Sequence, residues 1–287
     1  MSSEFHEKLR AIKKRLYQTF VPLGHQPRTV AFIFGCQRSG TTMLSRTLRR
    51  DLHSKTYGER GLARGAARGS PTRLLPYEEI EKIFAQERAP FLVAKPLVES
   101  QHSAQLLDRF PGSKGFWLYR HYCDVASSTE KMFGREASVY NLSALFDKDL
   151  TDHWFGERVP AEIRDTVRPH FDTERSVFDL HALCWWVRNS LYFRLEIDQD
   201  PRVLLCRYED LTSRPKELIA SVYRHLEIPY PGDYLVSDIH TRSVGKGSRV
   251  ELAPEIETLC ADLLARLDSL REACTDPPGK PVAVVTP

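Results

Sequence analysis

The sequence predicts an α/β fold: a central, mostly parallel sheet flanked by helices. Two observations carry this prediction. Four short, nearly continuous apolar runs stand at 30–34, 90–94, 115–119 and 202–206, as in parallel strands that are covered on both faces. Segments with helical periodicity separate these runs, which is the alternation typical of α/β domains. We therefore expect one domain over 1–275.

The elements follow in order along the chain. Helices are expected near 5–20, after 42, near 77–86, 100–110, from about 124, and near 178–197, 215–226 and 254–271. A loop rich in small residues is expected at about 55–76. A polar, irregular region from about 135 to 175 belongs to a partly helical insertion at about 135–180. The proline-rich tail 276–287 is expected to be disordered.

The first predicted helix is amphipathic. Its apolar residues recur at helical spacing, and basic residues occupy the other face: Phe5, Leu9, Ile12, Leu16 and Phe20 against Lys8, Arg10, Lys13, Lys14 and Arg15. This pattern is typical of a helix that packs on its own domain. It also suits a helix that binds a membrane surface or a partner.

Composition excludes several classes of protein. The 41 basic and 38 acidic residues nearly balance, so we expect no nucleic-acid partner. The six cysteines form no CxxC pair and no zinc-type spacing with histidine, which predicts free thiols, no metal site and a cytoplasmic setting. We expect no transmembrane segment, because no apolar stretch is long enough.

Residues 35–42 read GCQRSGTT and directly follow the apolar run 30–34. A tight turn between a strand and a helix points backbone N–H groups at an anion, and the helix dipole adds to the attraction. A nucleotide-binding P-loop has Lys after its second glycine and then Ser or Thr for Mg²⁺. Here Thr41 stands at the lysine position, and Arg38 is the nearby cation. The segment predicts a phosphate site without the lysine and metal of an ATPase.

A second anion motif follows the run 115–119. Arg120 stands at the predicted carboxyl end of this strand, where ligands bind in open α/β sheets. Ser128 lies eight residues later, inside the next predicted helix, so that both side chains can reach one phosphate. A surface arginine with a solvent-facing serine is the alternative interpretation.

Together these motifs resemble the sulfotransferases that use 3′-phosphoadenosine 5′-phosphosulfate (PAPS). The resemblance extends to RYEDL at 207–211 and TRSVGKG at 241–247, with all motifs in the family's order between about 30 and 270. It implies a P-loop-like sulfotransferase fold and PAPS as sulfuryl donor, with no metal. It also implies which residues bind the nucleotide: Arg38, Ser39, Gly40, Thr41 and Thr42 at the 5′-phosphosulfate, Arg120 and Ser128 at the 3′-phosphate, Tyr208 near the adenine, and Lys246 and Gly247 in a covering loop.

The RSGTT loop is similar to the bacterial and tyrosylprotein branches of the family, and this likeness implies the catalytic residues. Glu59 follows Gly58 and lies 18 residues after Thr41, the position of a general base in that branch. Lys95 and Ser243 match its active-site lysine and serine, beside Arg38. The implied reaction is in-line sulfuryl transfer to a hydroxyl, releasing adenosine 3′,5′-bisphosphate.

Several alternatives stay open. Glu59 could pair with a neighbouring arginine, and Lys95 and Ser243 could simply face solvent. A P-loop-type kinase or NTPase, or a non-catalytic nucleotide-binding protein, are the rival functions. The acceptor is expected to be a small metabolite, lipid or glycan, and the segment 60–75 and the insertion at 135–180 should line its site. The sequence leaves the oligomeric state open, a homodimer included.

Overall fold

A computed structural model describes residues 3–20, 28–63, 73–150, 153–239, 245 and 250–275. Its centre is a five-stranded sheet in which every neighbouring pair of strands is parallel. The strands are β1 (Thr29–Gly35), β2 (Ser54–Tyr57), β3 (Phe91–Ala94), β4 (Lys114–Tyr119) and β5 (Val203–Arg207), in the spatial order β2-β3-β1-β4-β5. The predicted α/β class is confirmed.

The described α-helices surround this sheet. They are α1 (Ser3–Phe20), α2 (Thr41–Arg49), α3 (Tyr77–Gln86), α4 (Ser103–Arg109), α5 (Tyr122–Ser143), α6 (Ala161–Val167), α7 (Val177–Arg194), α8 (Tyr208–Ser213), α9 (Pro215–His225) and α10 (Pro254–Thr275). None of the helices in the described ranges is both long and apolar enough to cross a membrane.

Two hydrophobic clusters cover the two faces of the sheet. In β1, Phe32 and Phe34 belong to one cluster, while Ala31 and Ile33 belong to the other. Successive side chains of a strand point to opposite faces, so a strand buried on both sides needs apolar residues at every position. This is why the strands appear in the sequence as continuous apolar runs.

Two sequence predictions about individual elements are wrong. The segment expected to be a loop from residue 55 begins with β2, a polar strand at the sheet edge that pairs only with β3. Polar side chains are common on edge strands, so no apolar run marks it. The region expected to be irregular from 135 continues helix α5 to Ser143. Gly134, with φ of 71°, interrupts the helix and breaks the apolar periodicity there.

Helix α1 packs on the domain, but through its polar side. Lys14 Nζ donates to the Arg49 carbonyl at 2.7 Å and to Ser54 Oγ at 2.9 Å, and Gln18 Nε2 donates to the Leu52 carbonyl at 3.0 Å. The described apolar residues of the helix are exposed. The helix therefore packs on the domain, but the expectation that its apolar residues make this contact is wrong. The predicted tail 276–287 lies outside the described residues.

Gly35 ends β1 at a position that admits no side chain. Its φ is 116°, and a Cβ there would lie 2.3 Å from the Leu118 carbonyl oxygen in the neighbouring strand. We expect Gly35→Ala to lower the free energy of unfolding by about 3 kcal/mol, combining backbone strain with overpacking. Urea unfolding measures this change. Gly58→Ala is the matched control, because a Cβ at Gly58 meets nothing within 4 Å; equal losses in both variants would contradict the steric explanation.

Candidate active site

The predicted phosphate loop connects β1 to α2 at the carboxyl edge of the sheet. Arg38 and Gly40 adopt left-handed backbone conformations, with φ of 66° and 86°. Gly40 is the N-cap of α2, and the first turn of that helix has neither a capping side chain nor an acidic residue. Among the described residues, no acceptor pairs with the Gly40 amide. The loop thus offers a backbone N–H group at the positive end of a helix. An anion site requires both features.

Lys95 lies at the centre of one charged cluster. It directly follows β3, is buried, and its Nζ donates to Glu59 Oε1 at 2.7 Å and to Thr42 Oγ1 at 2.9 Å. The interpretation of Lys95 as a solvent-facing residue is therefore wrong. Glu59, which follows β2, pairs with Lys95 across the sheet edge. Three predicted site residues, distant in sequence, contact one another here.

Arg38 connects the two predicted phosphate motifs directly. Its Nε donates to Ser128 Oγ at 3.0 Å, although 90 residues separate them. Ser128 lies in the second turn of α5, which begins just after Arg120 at the end of β4. Since β1 and β4 are neighbours in the sheet, their carboxyl ends bring both motifs to one place.

Arg120 is buried and forms an ion pair with Asp124. Its Nη2 lies 2.9 Å from Asp124 Oδ2, and both side chains are less than a tenth exposed. Asp124 Oδ2 also accepts a hydrogen bond of 3.0 Å from the Gly245 amide. Gly245 belongs to the predicted covering loop, so that loop approaches the Arg120 motif. Sequence reasoning missed Asp124, although its position four residues after Arg120, inside a helix, is the spacing of an ion pair.

Tyr208 joins the two motifs by packing. It begins α8 directly after β5, and its buried ring lies beneath the Arg120 guanidinium at 4.3 Å. It also packs closely on Gly40, where a Cβ would lie 2.2 Å from the ring. The phosphate loop therefore needs glycine at this position for two reasons, its left-handed φ and the closeness of Tyr208.

The remaining predicted residues divide into two groups. Ser39 and Thr41 are buried in the loop, which makes them part of its framework. Ser243, Lys246 and Gly247 lie outside the described residues. The roles proposed for all these residues stay predictions.

A cavity of about 430 Å³ adjoins the phosphate loop. Cys36 and Gln37 of the loop line one side, Arg60 stands beside Glu59, and helices α5 and α7 contribute much of the rest. The segment 153–155 of the predicted insertion adds Trp154 and Phe155 to its wall. The expectation that the insertion lines the acceptor site stays a prediction.

Four titratable groups of this cavity have pKa values that are shifted mainly by desolvation. Burial lowers the pKa of His153, and it also lowers that of His181, against the opposing effect of the hydrogen bond to Glu130. Burial raises the pKa of the Cys36 thiol to about 12 and lowers that of Arg188 to about 10. Near neutral pH the histidines therefore carry little charge and the thiol is not a nucleophile.

The described residues contain no group of three or more His, Cys, Asp or Glu side chains that could hold a metal ion. No protein-family model matches the chain, and no curated protein resembles it significantly. Similarity to known proteins is found at the level of the fold.

Three solved structures that resemble the chain are sulfotransferases. The sulfotransferase domain of the Synechococcus PCC 7002 olefin synthase is 16% identical, covers 86% of this chain and 97% of that one, and has a TM-score of 0.46. The sulfotransferase domain from the curacin biosynthetic pathway is 15% identical over 83% and 98%, with a TM-score of 0.48. A sulfotransferase from Alicyclobacillus acidocaldarius is 14% identical over 87% and 96%, with a TM-score of 0.48. Values this low say nothing about the activity or the site residues of this chain.

The buried ion pair gives a test of the site's construction. We expect Asp124→Asn to lower the free energy of unfolding by about 3 kcal/mol, because Arg120 would keep its charge in a buried position without its counter-ion. Urea unfolding measures the loss. Asp165→Asn on the exposed surface of α6 is the control and should change stability by less than about 0.5 kcal/mol. If the two variants unfold alike, the ion pair does not stabilise the site.

Proposed function

We propose that this chain is a PAPS-dependent sulfotransferase that transfers a sulfuryl group to an acceptor hydroxyl. One observation carries the proposal: Lys95 contacts both the candidate base Glu59 and the loop residue Thr42. A cation that touches a carboxylate and a phosphate loop at once suits a reaction in which a hydroxyl attacks an anionic group held by the loop. The choice of PAPS as donor rests on the likeness of the sequence motifs to those of PAPS-dependent sulfotransferases.

The residues present suit the donor. Its phosphates and sulfuryl group carry several negative charges, and the cations Arg38, Lys95 and Arg120 all stand at the carboxyl edge of the sheet. The glycine N-cap of α2, which has no side-chain cap, leaves an N–H group for an anion. When bound, PAPS supplies the sulfuryl group and a phosphate leaving group. We infer that Arg38 and the α2 amides bind its 5′ end, and that Arg120 binds the 3′-phosphate.

Glu59 is the proposed general base. Its carboxylate takes the proton of the acceptor hydroxyl while the hydroxyl oxygen bonds to sulfur. The bond from sulfur to the bridging phosphate oxygen breaks, and its electron pair leaves on that oxygen. An ammonium group has three N–H donors, of which Lys95 uses two on Glu59 and Thr42. The third is left for an oxygen of the transferred group.

The acceptor is proposed to bind in the cavity beside the loop. Its described lining combines aromatic rings with Arg60, Arg188 and two histidines, and none of these described residues is Asp or Glu. Aromatic walls favour a small metabolite or lipid that buries apolar surface, and the absence of carboxylates among them favours a neutral or anionic molecule.

The role of Glu59 is tested by Glu59→Gln. We expect kcat to fall about 10²–10⁴-fold, because the amide cannot accept the proton, while the Kd for adenosine 3′,5′-bisphosphate stays within about twofold. Release of the bisphosphate from PAPS, with a panel of phenols and alcohols, measures turnover. Glu162→Gln, on the exposed side of α6, is the matched control. Unchanged turnover in Glu59→Gln would remove the base assignment.

The proposed donor is tested by binding. We expect the wild-type chain to bind adenosine 3′,5′-bisphosphate in the presence of EDTA and to bind ATP much more weakly, since no P-loop lysine or metal site is present in the motif. Isothermal titration calorimetry measures both. Metal-dependent binding that favours ATP would support a kinase or NTPase.

Arg38 is expected to act mainly in the transition state. Because charge grows on the bridging oxygen during transfer, Arg38→Ala should lower kcat by more than it weakens bisphosphate binding. Arg46→Ala, an exposed arginine of α2, is the matched control and should leave both values near wild type. A variant that loses affinity but keeps kcat would make Arg38 a binding residue only.

A further inference from the structure

Helix α1 exposes a continuous apolar stripe, which consists of Leu9, Ile12, Leu16 and Phe20. These side chains are 42%, 57%, 56% and 82% exposed. Their spacing of three or four residues places them along one face of the helix. Lys14 and Gln18 hold the opposite face on the domain. The apolar stripe therefore faces away from the protein.

A basic cavity of about 890 Å³ lies between α1 and the domain. Its lining holds six cationic side chains and a single carboxylate, Glu87: the cations are Lys14, Arg15, Arg49, Arg50, Lys55 and Arg88. Arg50 is ion-paired with Asp238, and Lys55 with Glu87. Among the described residues of the lining, cationic side chains outnumber carboxylates by six to one.

Lys14 is partly buried in this cavity, and burial is the main cause that lowers its pKa to about 8. Asp51 opposes the shift, and the charges of Arg49 and Lys55 make smaller contributions to it. A bound anion would relieve the repulsion among these groups, so the cavity favours a negatively charged ligand.

The basic cavity is separate from the candidate active site. It is lined by Ser54 at the start of β2 and by the segment 86–88 that precedes β3. The candidate site lies at the carboxyl ends of the strands, where Glu59 and Lys95 follow β2 and β3. A ligand of the cavity would therefore bind at the opposite end of these two strands.

We propose that α1 binds the surface of an anionic lipid bilayer. The apolar stripe enters the boundary between headgroups and acyl chains, and the exposed cations beside the stripe contact acidic headgroups. The cavity lies on the domain side of the helix, where its positive charge adds longer-range attraction to an anionic surface. An amphipathic helix with these two features lies in the plane of the interface, held by apolar burial and by attraction to anionic lipids.

Charge complementarity favours a bilayer over a second copy of the chain. Lys13 and Arg15 are exposed and flank the apolar stripe on its two sides. Two copies that paired through their stripes would bring these like charges together. An anionic surface neutralises the same charges.

The proposal is tested by sedimentation of the full-length chain with lipid vesicles. We expect binding to phosphatidylcholine vesicles that contain about one third phosphatidylglycerol, and much weaker binding to phosphatidylcholine alone. Salt should weaken the binding, because it screens exposed charges. Equal binding to both vesicle types, or to neither, would overturn the proposal.

Two variants separate the contributions of the stripe and of the cations beside it. Leu16→Glu should weaken binding about tenfold or more, because a charged side chain replaces buried apolar surface. Lys13→Gln should weaken it about fivefold on anionic vesicles. The matched control is Arg224→Gln, an exposed helical arginine outside the cavity lining, which should bind like wild type. An equal loss of vesicle binding in Arg224→Gln would show that only the net charge of the protein matters, and would contradict a specific binding surface at α1.

A second readout keeps the test independent of folding and of the proposed reaction. Circular dichroism and bisphosphate binding should be unchanged in Leu16→Glu, because the stripe contacts neither the core nor the candidate site. Analytical ultracentrifugation without lipid should show the same mass for wild type and Leu16→Glu. A wild-type dimer that Leu16→Glu dissociates would assign the stripe to a second copy and overturn the bilayer proposal.

Discussion

The packing of the Tyr208 ring against both Gly40 and Arg120 holds the candidate site together. These residues follow β5, β1 and β4, which are neighbours in the sheet. Since parallel strands end at the same edge, their loops must meet, and the ring fixes how closely they do so. A side chain at Gly40 would separate the phosphate loop from the ring. The left-handed backbone of the loop is thus tied to the packing of a residue almost 170 positions later in the sequence.

Charge pairing is the second constraint on the site. A buried cation without a partner is costly, and two of the buried cations here have a carboxylate: Lys95 has Glu59, and Arg120 has Asp124. Arg188, also buried, donates to the neutral acceptors Gln101 Oε1 and the Leu97 carbonyl. The pairing also restricts the chemistry. Lys95 fixes the position of the carboxylate that we propose as the base, while Asp124 orients Arg120 and binds the Gly245 amide. The same pairs that make burial tolerable therefore set the directions of the functional groups.

The sequence predicted the parts of this arrangement that depend on local patterns. Apolar runs indicate buried strands, and glycine with small residues indicates a turn, so β1 and its loop could be located closely. The polar edge strand β2 and the Gly134 interruption of α5 could not be located, because burial and pairing decide them and periodicity does not record either. The hydrogen bond between Arg38 and Ser128 likewise depends on the order of strands, which the sequence leaves open.

Helix α1 shows why an amphipathic pattern predicts a stripe but not its direction. The surface beneath this helix presents the carbonyls of Arg49 and Leu52 at and beyond the end of α2, together with Ser54. Carbonyls at a helix C-terminus lack partners within their own helix and attract cations. Lys14 and Gln18 satisfy these acceptors, whereas leucine or phenylalanine would leave them without a donor. Because the acceptors of the domain surface need hydrogen-bond donors, Lys14 and Gln18 face inward, and the apolar stripe must then face outward. The same contact brings the cations of the cavity together.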